Sequence, residues 1–149
     1  MSGGGGNDTI TGGPDADDIL GAAGADTING EGGDDVITGG GGRDIINGGD
    51  GDDDIRGQQA RDTLNGDAGD DTINGGSGDD TVNGGSGDDI LNGGSDDDTV
   101  RGDAGADTVE GGGGDDSLVG GASSGDICNG QSGDDTAANS CESTISTES

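Results

Sequence analysis

The sequence predicts an all-β solenoid of stacked parallel strands, because a nine-residue unit repeats along almost the entire chain. Starting at Gly3, the 149 residues follow the pattern G-G-x-G-x-D-x-U-x, where U is a large aliphatic residue. Fifteen units fill residues 3–138, and only the fourteenth, residues 120–129, contains an extra residue. A short fixed period of this kind is typical of repeat architectures, in which each unit packs against its neighbours.

Three columns of the repeat keep their residue type while the other columns vary. Position one is Gly in all fifteen units, and position eight is Ile, Leu or Val in the first thirteen, followed by Cys128 and Ala137. Position six is always Asp: Asp8, Asp17, Asp26, Asp35, Asp44, Asp53, Asp62, Asp71, Asp80, Asp89, Asp98, Asp107, Asp116, Asp126 and Asp135. Chance does not keep three columns in step, so we expect each to have a structural role.

Each unit is expected to form a turn followed by a short strand. The Gly-rich first six positions suit a tight loop, because Gly adopts positive φ angles without steric cost. The last three, such as Thr72-Ile73-Asn74, suit an extended segment whose middle residue points inward. Two units, eighteen residues, therefore make one coil, and stacked coils give two parallel sheets with facing aliphatic ladders.

The composition indicates that this chain needs a stabiliser beyond its core. It contains 40 Gly, no aromatic residue, no His and no Lys, and its formal net charge is -30. These are the properties of a disordered chain, and two thin aliphatic ladders add little. Nucleic acid is not an expected partner, because the charges repel. Insertion into a membrane is not expected either, because no apolar run is long enough to span a bilayer.

The stacked loops predict sites for a hard cation. Loops two units apart lie one above the other, and each brings an Asp and several backbone carbonyls into the gap. Oxygen ligands of irregular geometry favour Ca²⁺ over Mg²⁺ or Zn²⁺. The fifteen units offer at most thirteen such pairs, whose 26 positive charges would offset most of the formal charge of -30.

The repeat resembles the RTX (repeats-in-toxin) family of hemolysin-type calcium-binding nonapeptides. The best copies are Gly75-Gly76-Ser77-Gly78-Asp79-Asp80 and Gly84-Gly85-Ser86-Gly87-Asp88-Asp89, each followed by a strand. The resemblance implies a right-handed parallel β-roll with calcium between stacked loops. It also implies the ligands of one site, namely the Gly76 and Gly78 carbonyls with Asp80, and the Gly93 and Ser95 carbonyls with Asp98.

The resemblance further implies calcium binding coupled to folding, in a secreted, extracellular structural module. We expect a calcium-binding body at residues 3–138 and a cap and tail at residues 139–149. Some loops should bind calcium weakly: the seventh unit contains Gln58, Ala60 and Arg61, and Asp15 and Asp96 replace Gly at position four. About ten occupied sites are therefore expected.

Two alternatives to a purely structural module remain open. The coils could stack end to end through an uncapped end of the solenoid, as a self-assembling element. A flat ladder that includes Thr63, Thr81, Asn65 and Asn83 could bind ice or a glycan, although Thr suits strands and stacked Asn side chains bond to one another. An enzyme is not expected, because Ser and Cys lack a basic partner.

The only two cysteines lie near the C-terminal end. Cys128 occupies the inward eighth position of the fourteenth unit, and Cys141 follows the last unit. In an exported chain we expect them to form a disulfide that seals the end of the solenoid. Two free thiols or a bond between chains are the alternatives.

Overall fold

The computed structural model is an all-β parallel solenoid of about eight coils, and it describes residues 1–138, 140–141 and 143–146. No helix occurs in these residues. Seventeen strands follow one another: β1 (Ser2–Gly5), β2 (Thr9–Gly13), β3 (Asp18–Ala23), β4 (Thr27–Gly32), β5 (Val36–Gly41), β6 (Ile45–Asp50), β7 (Asp54–Gln59), β8 (Thr63–Ala68), β9 (Thr72–Ser77), β10 (Thr81–Ser86), β11 (Ile90–Ser95), β12 (Thr99–Ala104), β13 (Thr108–Gly113), β14 (Ser117–Gly121), β15 (Ile127–Ser132), β16 (Thr136–Ala137) and β17 (Ser143–Ser146).

The strands alternate between two parallel sheets. The odd-numbered strands β1 to β17 form a nine-stranded sheet, and the even-numbered strands β2 to β16 form an eight-stranded sheet. Neighbouring strands from β1 to β14 pair residues that are eighteen positions apart, for example Thr81 with Thr99 and Leu91 with Val109. The extra residue of the fourteenth unit makes the separation nineteen between β13 and β15. The predicted coil of two units is therefore confirmed. We call the edge that carries the loops of odd-numbered units the odd edge, and the other the even edge.

The strands are longer than the sequence predicted, and the expected six-residue turn was wrong. Strand β9, at Thr72–Ser77, comprises positions seven to nine of one unit and positions one to three of the next. Only positions four to six form the turn. The ladder continues through the Gly-rich segment because the adjacent coils supply partners for its backbone, as Gly94 pairs with Gly76 and Ser95 with Ser77.

The core consists of the predicted aliphatic column. Thirteen position-eight side chains are at most 1% exposed: Ile19, Ile28, Ile37, Ile46, Ile55, Leu64, Ile73, Val82, Leu91, Val100, Val109, Leu118 and Cys128. Their neighbours along each strand point outward, and Ile90 is 56% exposed. Ile10, in the first coil, is only partly buried. The alternation of a strand therefore places one apolar residue per unit inside, as predicted.

A disulfide closes the C-terminal end, as predicted. Cys128 and Cys141 are bonded with their Cα atoms 5.6 Å apart, and Cys141 packs against the aliphatic core. Beyond this bond, β17 pairs with β15 and extends the nine-stranded sheet. Of the predicted cap and tail, residues 139, 142 and 147–149 lie outside the described residues.

Substitution at adjacent inward and outward positions tests the core. We expect Leu91→Ala to lower the free energy of unfolding by about 2–5 kcal/mol, because it leaves a cavity between the sheets. The matched control Ile90→Ala, on the outer face of the same strand, should cost less than about 1 kcal/mol. Denaturant unfolding in calcium-containing buffer measures both, and equal losses would contradict the inward assignment.

The disulfide should stabilise the terminal coils. Replacing both Cys128 and Cys141 by Ala opens a bridge between residues 13 positions apart. For a loop of this size the expected loss is about 3 kcal/mol. Hydrogen exchange should accelerate in β15 and much less in β8, and reduction of the unchanged protein should reproduce the effect. Uniform acceleration along all coils would argue against a local cap.

Candidate metal centre

The structure places the position-six Asp residues in two buried columns, one at each edge. Twelve of them are at most 3% exposed: Asp26, Asp35, Asp44, Asp53, Asp62, Asp71, Asp80, Asp89, Asp98, Asp107, Asp116 and Asp126. The remaining three, Asp8, Asp17 and Asp135, lie in the terminal coils and are half-buried. Ionised carboxylates removed from water in such numbers require compensation by hydrogen bonds or by cations.

One oxygen of each of the twelve buried carboxylates accepts a backbone N–H of the preceding coil. The N–H of Asp62 donates to Oδ1 of Asp80 at 2.7 Å, and the N–H of Asp80 donates to Oδ1 of Asp98 at 2.7 Å. The same bond repeats along both columns. It persists across the extra residue of the fourteenth unit, where the N–H of Asp107 reaches Oδ1 of Asp126 at 3.1 Å. This inner ladder fixes the orientation of every buried carboxylate.

The other oxygen of these carboxylates has no hydrogen-bond partner. Among the described residues, Oδ2 is buried and unpartnered in Asp8, Asp26, Asp35, Asp44, Asp53, Asp62, Asp71, Asp80, Asp89, Asp98, Asp107, Asp116 and Asp126. Buried polar atoms are normally hydrogen-bonded, and a buried charge without a partner is strongly destabilising. A repeated orphan oxygen of this kind fits the position of a cation ligand.

Backbone carbonyl oxygens lie beside the unpartnered Oδ2 atoms. A Cβ atom at Gly75 would collide with Oδ2 of Asp80 and with the carbonyl oxygen of Gly93 in the next coil. The structure therefore brings these two predicted ligands against one face of Gly75. The same relation holds in the other column for Gly84, which faces Oδ2 of Asp89 and the carbonyl oxygen of Gly102. Position one is Gly because a side chain would fill the gap between the oxygens.

Carbonyls of positions two and four point toward the following coil. The carbonyl oxygen of Gly76 lies against Gly94, and that of Gly87 lies against Gly105. The hydroxyls of the position-three residues Ser77 and Ser86 donate to the position-two carbonyls of the coil before, at Gln58 and Asp67, at 3.2 Å and 3.4 Å.

The loops that break the pattern are strained or altered. Asp96 at position four takes a φ of 79°, whereas Asp15 at the same position stays outside the left-handed region. In the seventh unit Gln58 and Ala60 both have positive φ angles. The bond from the Gly42 N–H to the Gln59 carbonyl stretches to 3.4 Å, against 2.8 Å for the equivalent bond from Gly51 to Ala68.

Left-handed backbone at position two was not predicted for residues other than Gly. Gly76 has a φ of 114°, and six units adopt positive φ there with a side chain present: Ala22, Glu31, Gln58, Asp67, Asp103 and Gln131. Such angles cost energy in a residue with a Cβ. The pairing of the strand with both neighbouring coils imposes this conformation, so it cannot be predicted from the sequence of a single unit.

Burial raises the pKa of the central carboxyls. The pKa rises to about 7 for Asp62, Asp71 and Asp98, chiefly because of desolvation. The backbone N–H bonded to Oδ1 lowers it and adjacent carboxylates raise it further. The pKa also rises to about 6 for Asp53, Asp80 and Asp89, and in the same direction for Asp35, Asp44, Asp107 and Asp116.

The donor set is therefore carboxylate and carbonyl oxygen. Within the described residues no three acidic or cysteine side chains converge closely enough to hold a metal by themselves. Backbone carbonyls must supply several ligands of any bound ion, which is the chemistry of a hard cation such as Ca²⁺.

The family comparison agrees with this chemistry. The sequence model of the RTX calcium-binding nonapeptide repeat matches residues 1–28, 20–55, 29–64, 56–91 and 92–127. The chain belongs to this family. RTX repeats bind calcium ions, and the parallel solenoid with eighteen residues per coil is consistent with an RTX β-roll. No curated protein matches the sequence. A helix with the length and hydropathy to cross a membrane is absent from the described residues.

The raised pKa values predict how the metal-free fold responds to pH. Because the folded-state pKa of Asp62, Asp71 and Asp98 lies near 7, above the ordinary 3.8, protonation favours the folded chain. That stabilisation is complete below about pH 4 and is lost as the pH rises through 7. In excess chelator, β-sheet circular dichroism should therefore increase as the pH falls from 8 to 5. A signal that is flat or decreases would contradict the burial of these carboxyls.

Proposed function

We propose that this chain is an extracellular structural module whose folding is driven by calcium ions bound between stacked loops. The supporting observation is the row of enclosed Oδ2 atoms. In twelve of the thirteen stacked loop pairs, the Asp of the first loop has a buried Oδ2 without a hydrogen-bond partner. The exception is Asp17, whose loop contains Asp15, one of the residues that we expect to weaken a site.

One site illustrates the proposed ligands. The carbonyls of Gly76 and Gly78 and the carboxylate of Asp80 would act with the carbonyls of Gly93 and Ser95 and with Asp98. The convergence of Asp80 Oδ2 and the Gly93 carbonyl on Gly75 supports this set. The Ser95 carbonyl already accepts the Gly78 N–H at 3.2 Å, and a carbonyl oxygen has a second lone pair for an ion.

The same arrangement explains why calcium would control folding. Without an ion, each coil adds buried carboxylates that repel one another and face no cation. Thirteen ions would supply 26 positive charges against the formal -30. Binding free energy released only in the stacked state becomes folding free energy. The charge then keeps the metal-free chain extended and soluble.

The proposed extracellular location rests on the supply of calcium and on the disulfide. Calcium is abundant outside cells, and the Cys128–Cys141 disulfide suits an oxidising compartment. We assign the calcium-binding body to residues 3–138 and the cap and tail to residues 139–149. End-to-end assembly remains an alternative, since β1 and β2 each have one edge without a partner strand among the described residues.

The ladder of Thr and Asn residues on the outer face of the sheet has a structural explanation. The side chain of Asn65 donates to Oδ1 of Asn47 at 2.8 Å, and that of Asn83 donates to Oδ1 of Asn65 at 2.8 Å. Stacked amide side chains of this kind stabilise the sheet. A bound ice surface or glycan is not needed to account for them.

Calcium titration tests the proposal. Far-ultraviolet circular dichroism should change from coil to β-sheet on addition of calcium and not of equimolar magnesium, because the oxygen cage suits the larger ion. A compact, protease-resistant chain in excess chelator at pH 8 would refute calcium-driven folding.

A matched pair of variants tests the ligands. Asp80→Asn keeps an oxygen that accepts the Asp62 N–H but removes the charge of Oδ2. We expect it to lower the calcium stoichiometry and to move the folding midpoint to about tenfold higher calcium. Asp79→Asn removes the same charge from the exposed neighbouring position. It should leave the stoichiometry unchanged, and equal effects would show that only net charge matters.

A further inference from the structure

Along part of the solenoid, the loops of the two edges carry exposed charges of opposite sign. Four successive loops of the even edge, in residues 30–89, carry seven exposed carboxylates: Glu31, Asp34, Asp50, Asp52, Asp67, Asp70 and Asp88. The odd edge carries none in its first four loops, at residues 3–8, 21–26, 39–44 and 57–62, where every Asp is at least half-buried. We call these four loops the basic strip, because their only exposed charges are Arg43 and Arg61.

The two arginines of the basic strip are stacked and unpaired. Arg43 and Arg61 occupy position five of consecutive odd-edge loops, so they lie one coil apart, about 4.8 Å along the axis. Neither makes an ion pair with any described residue. The other two arginines do: Arg56 contacts Asp54 at 2.7 Å and Arg101 contacts Asp103 at 3.7 Å. Two adjacent guanidinium groups without a carboxylate favour an anion from outside the chain.

The even edge presents carboxylates with the same period. Asp34, Asp52, Asp70 and Asp88 occupy position five of consecutive even-edge loops, and we call them the acidic ladder. Oδ1 of each accepts the backbone N–H of the equivalent residue in the next coil, at 2.8–3.1 Å. These bonds hold the carboxylates in a fixed row with one oxygen available. Two successive members therefore match the axial spacing of Arg43 and Arg61.

Calcium would increase the contrast between the edges, and this step rests on the proposed function. In the basic strip, four Asp, two Arg and three ions between the loops sum to a formal charge of +4. In the four even-edge loops within residues 30–89, eleven carboxylates and three ions sum to -5. Without calcium both edges are negative and repel.

We propose that calcium-loaded copies of this chain associate side by side, with the basic strip of one copy against the acidic ladder of another. The shared coil period favours a second copy over an acidic polysaccharide. The contact joins two different surfaces, so each copy retains a free strip and a free ladder. Association should therefore continue beyond a dimer. Exposed ion pairs are individually weak, so it should be sensitive to protein concentration and to salt.

Sedimentation velocity in calcium tests this contact. The unchanged protein should form species that grow with concentration and dissociate in high salt. R43E/R61E removes both guanidinium groups of the basic strip. D52N/D70N removes two charges of the acidic ladder, while an amide oxygen at each position still accepts the backbone N–H. Each variant alone should remain monomeric, whereas an equal mixture should form a dimer that does not grow further. The control D97N/D115N, at position five of the odd edge, should associate like the unchanged protein.

Circular dichroism separates the two proposals. All variants should show the calcium-induced transition, so a folded protein that stays monomeric at every concentration overturns the lateral contact alone. Association weakened equally by D97N/D115N also overturns it, because charge rather than the ladder would then be responsible. A monomer that binds polygalacturonate through Arg43 and Arg61 overturns it in favour of a glycan. Absence of the calcium transition overturns the proposed function itself.

Discussion

Stacking of the coils buries carboxylates that repel one another, and this repulsion is the main constraint on the fold. Each coil places two Asp side chains inside the loops, and the thin aliphatic column, from Ile19 to Leu118, is too small to offset that charge. The inner ladder satisfies one oxygen of each carboxylate and leaves the other enclosed beside carbonyl oxygens. Under the proposed function, a cation between the loops would resolve this imbalance, and folding and metal binding would become one equilibrium.

Strictly periodic features could be predicted from the sequence. The coil length follows from the nine-residue unit, the core from the column that includes Ile73 and Leu91, and the disulfide from the inward position of Cys128. The strand bounds and the inner ladder could not be read in this way. They depend on hydrogen bonds between residues eighteen apart, whereas the Gly-rich composition of one unit indicates only a turn.

Residues that depart from the repeat account for most of the differences between one loop and another in this protein. Gln58 and Ala60 adopt left-handed backbone that Gly would adopt without strain, and Asp15 avoids it. Arg43 and Arg61 occupy the position that carries an exposed Asp in the later loops of the odd edge, and the first four loops of that edge carry no exposed acid. The repeat thus accounts for the fold, while a few substituted positions distinguish one loop pair or edge from another.

The inner ladder also gives the solenoid a direction. Where a position-six N–H donates to a position-six carboxylate, that carboxylate belongs to the coil that follows toward the C-terminus. Loss of the first coil would therefore leave the next pair of carboxylates without these N–H donors, whereas loss of the last coil would leave a pair of these N–H groups without acceptors. The two ends of the solenoid thus differ chemically, and the disulfide lies at the end where position-six donors would lose their acceptors.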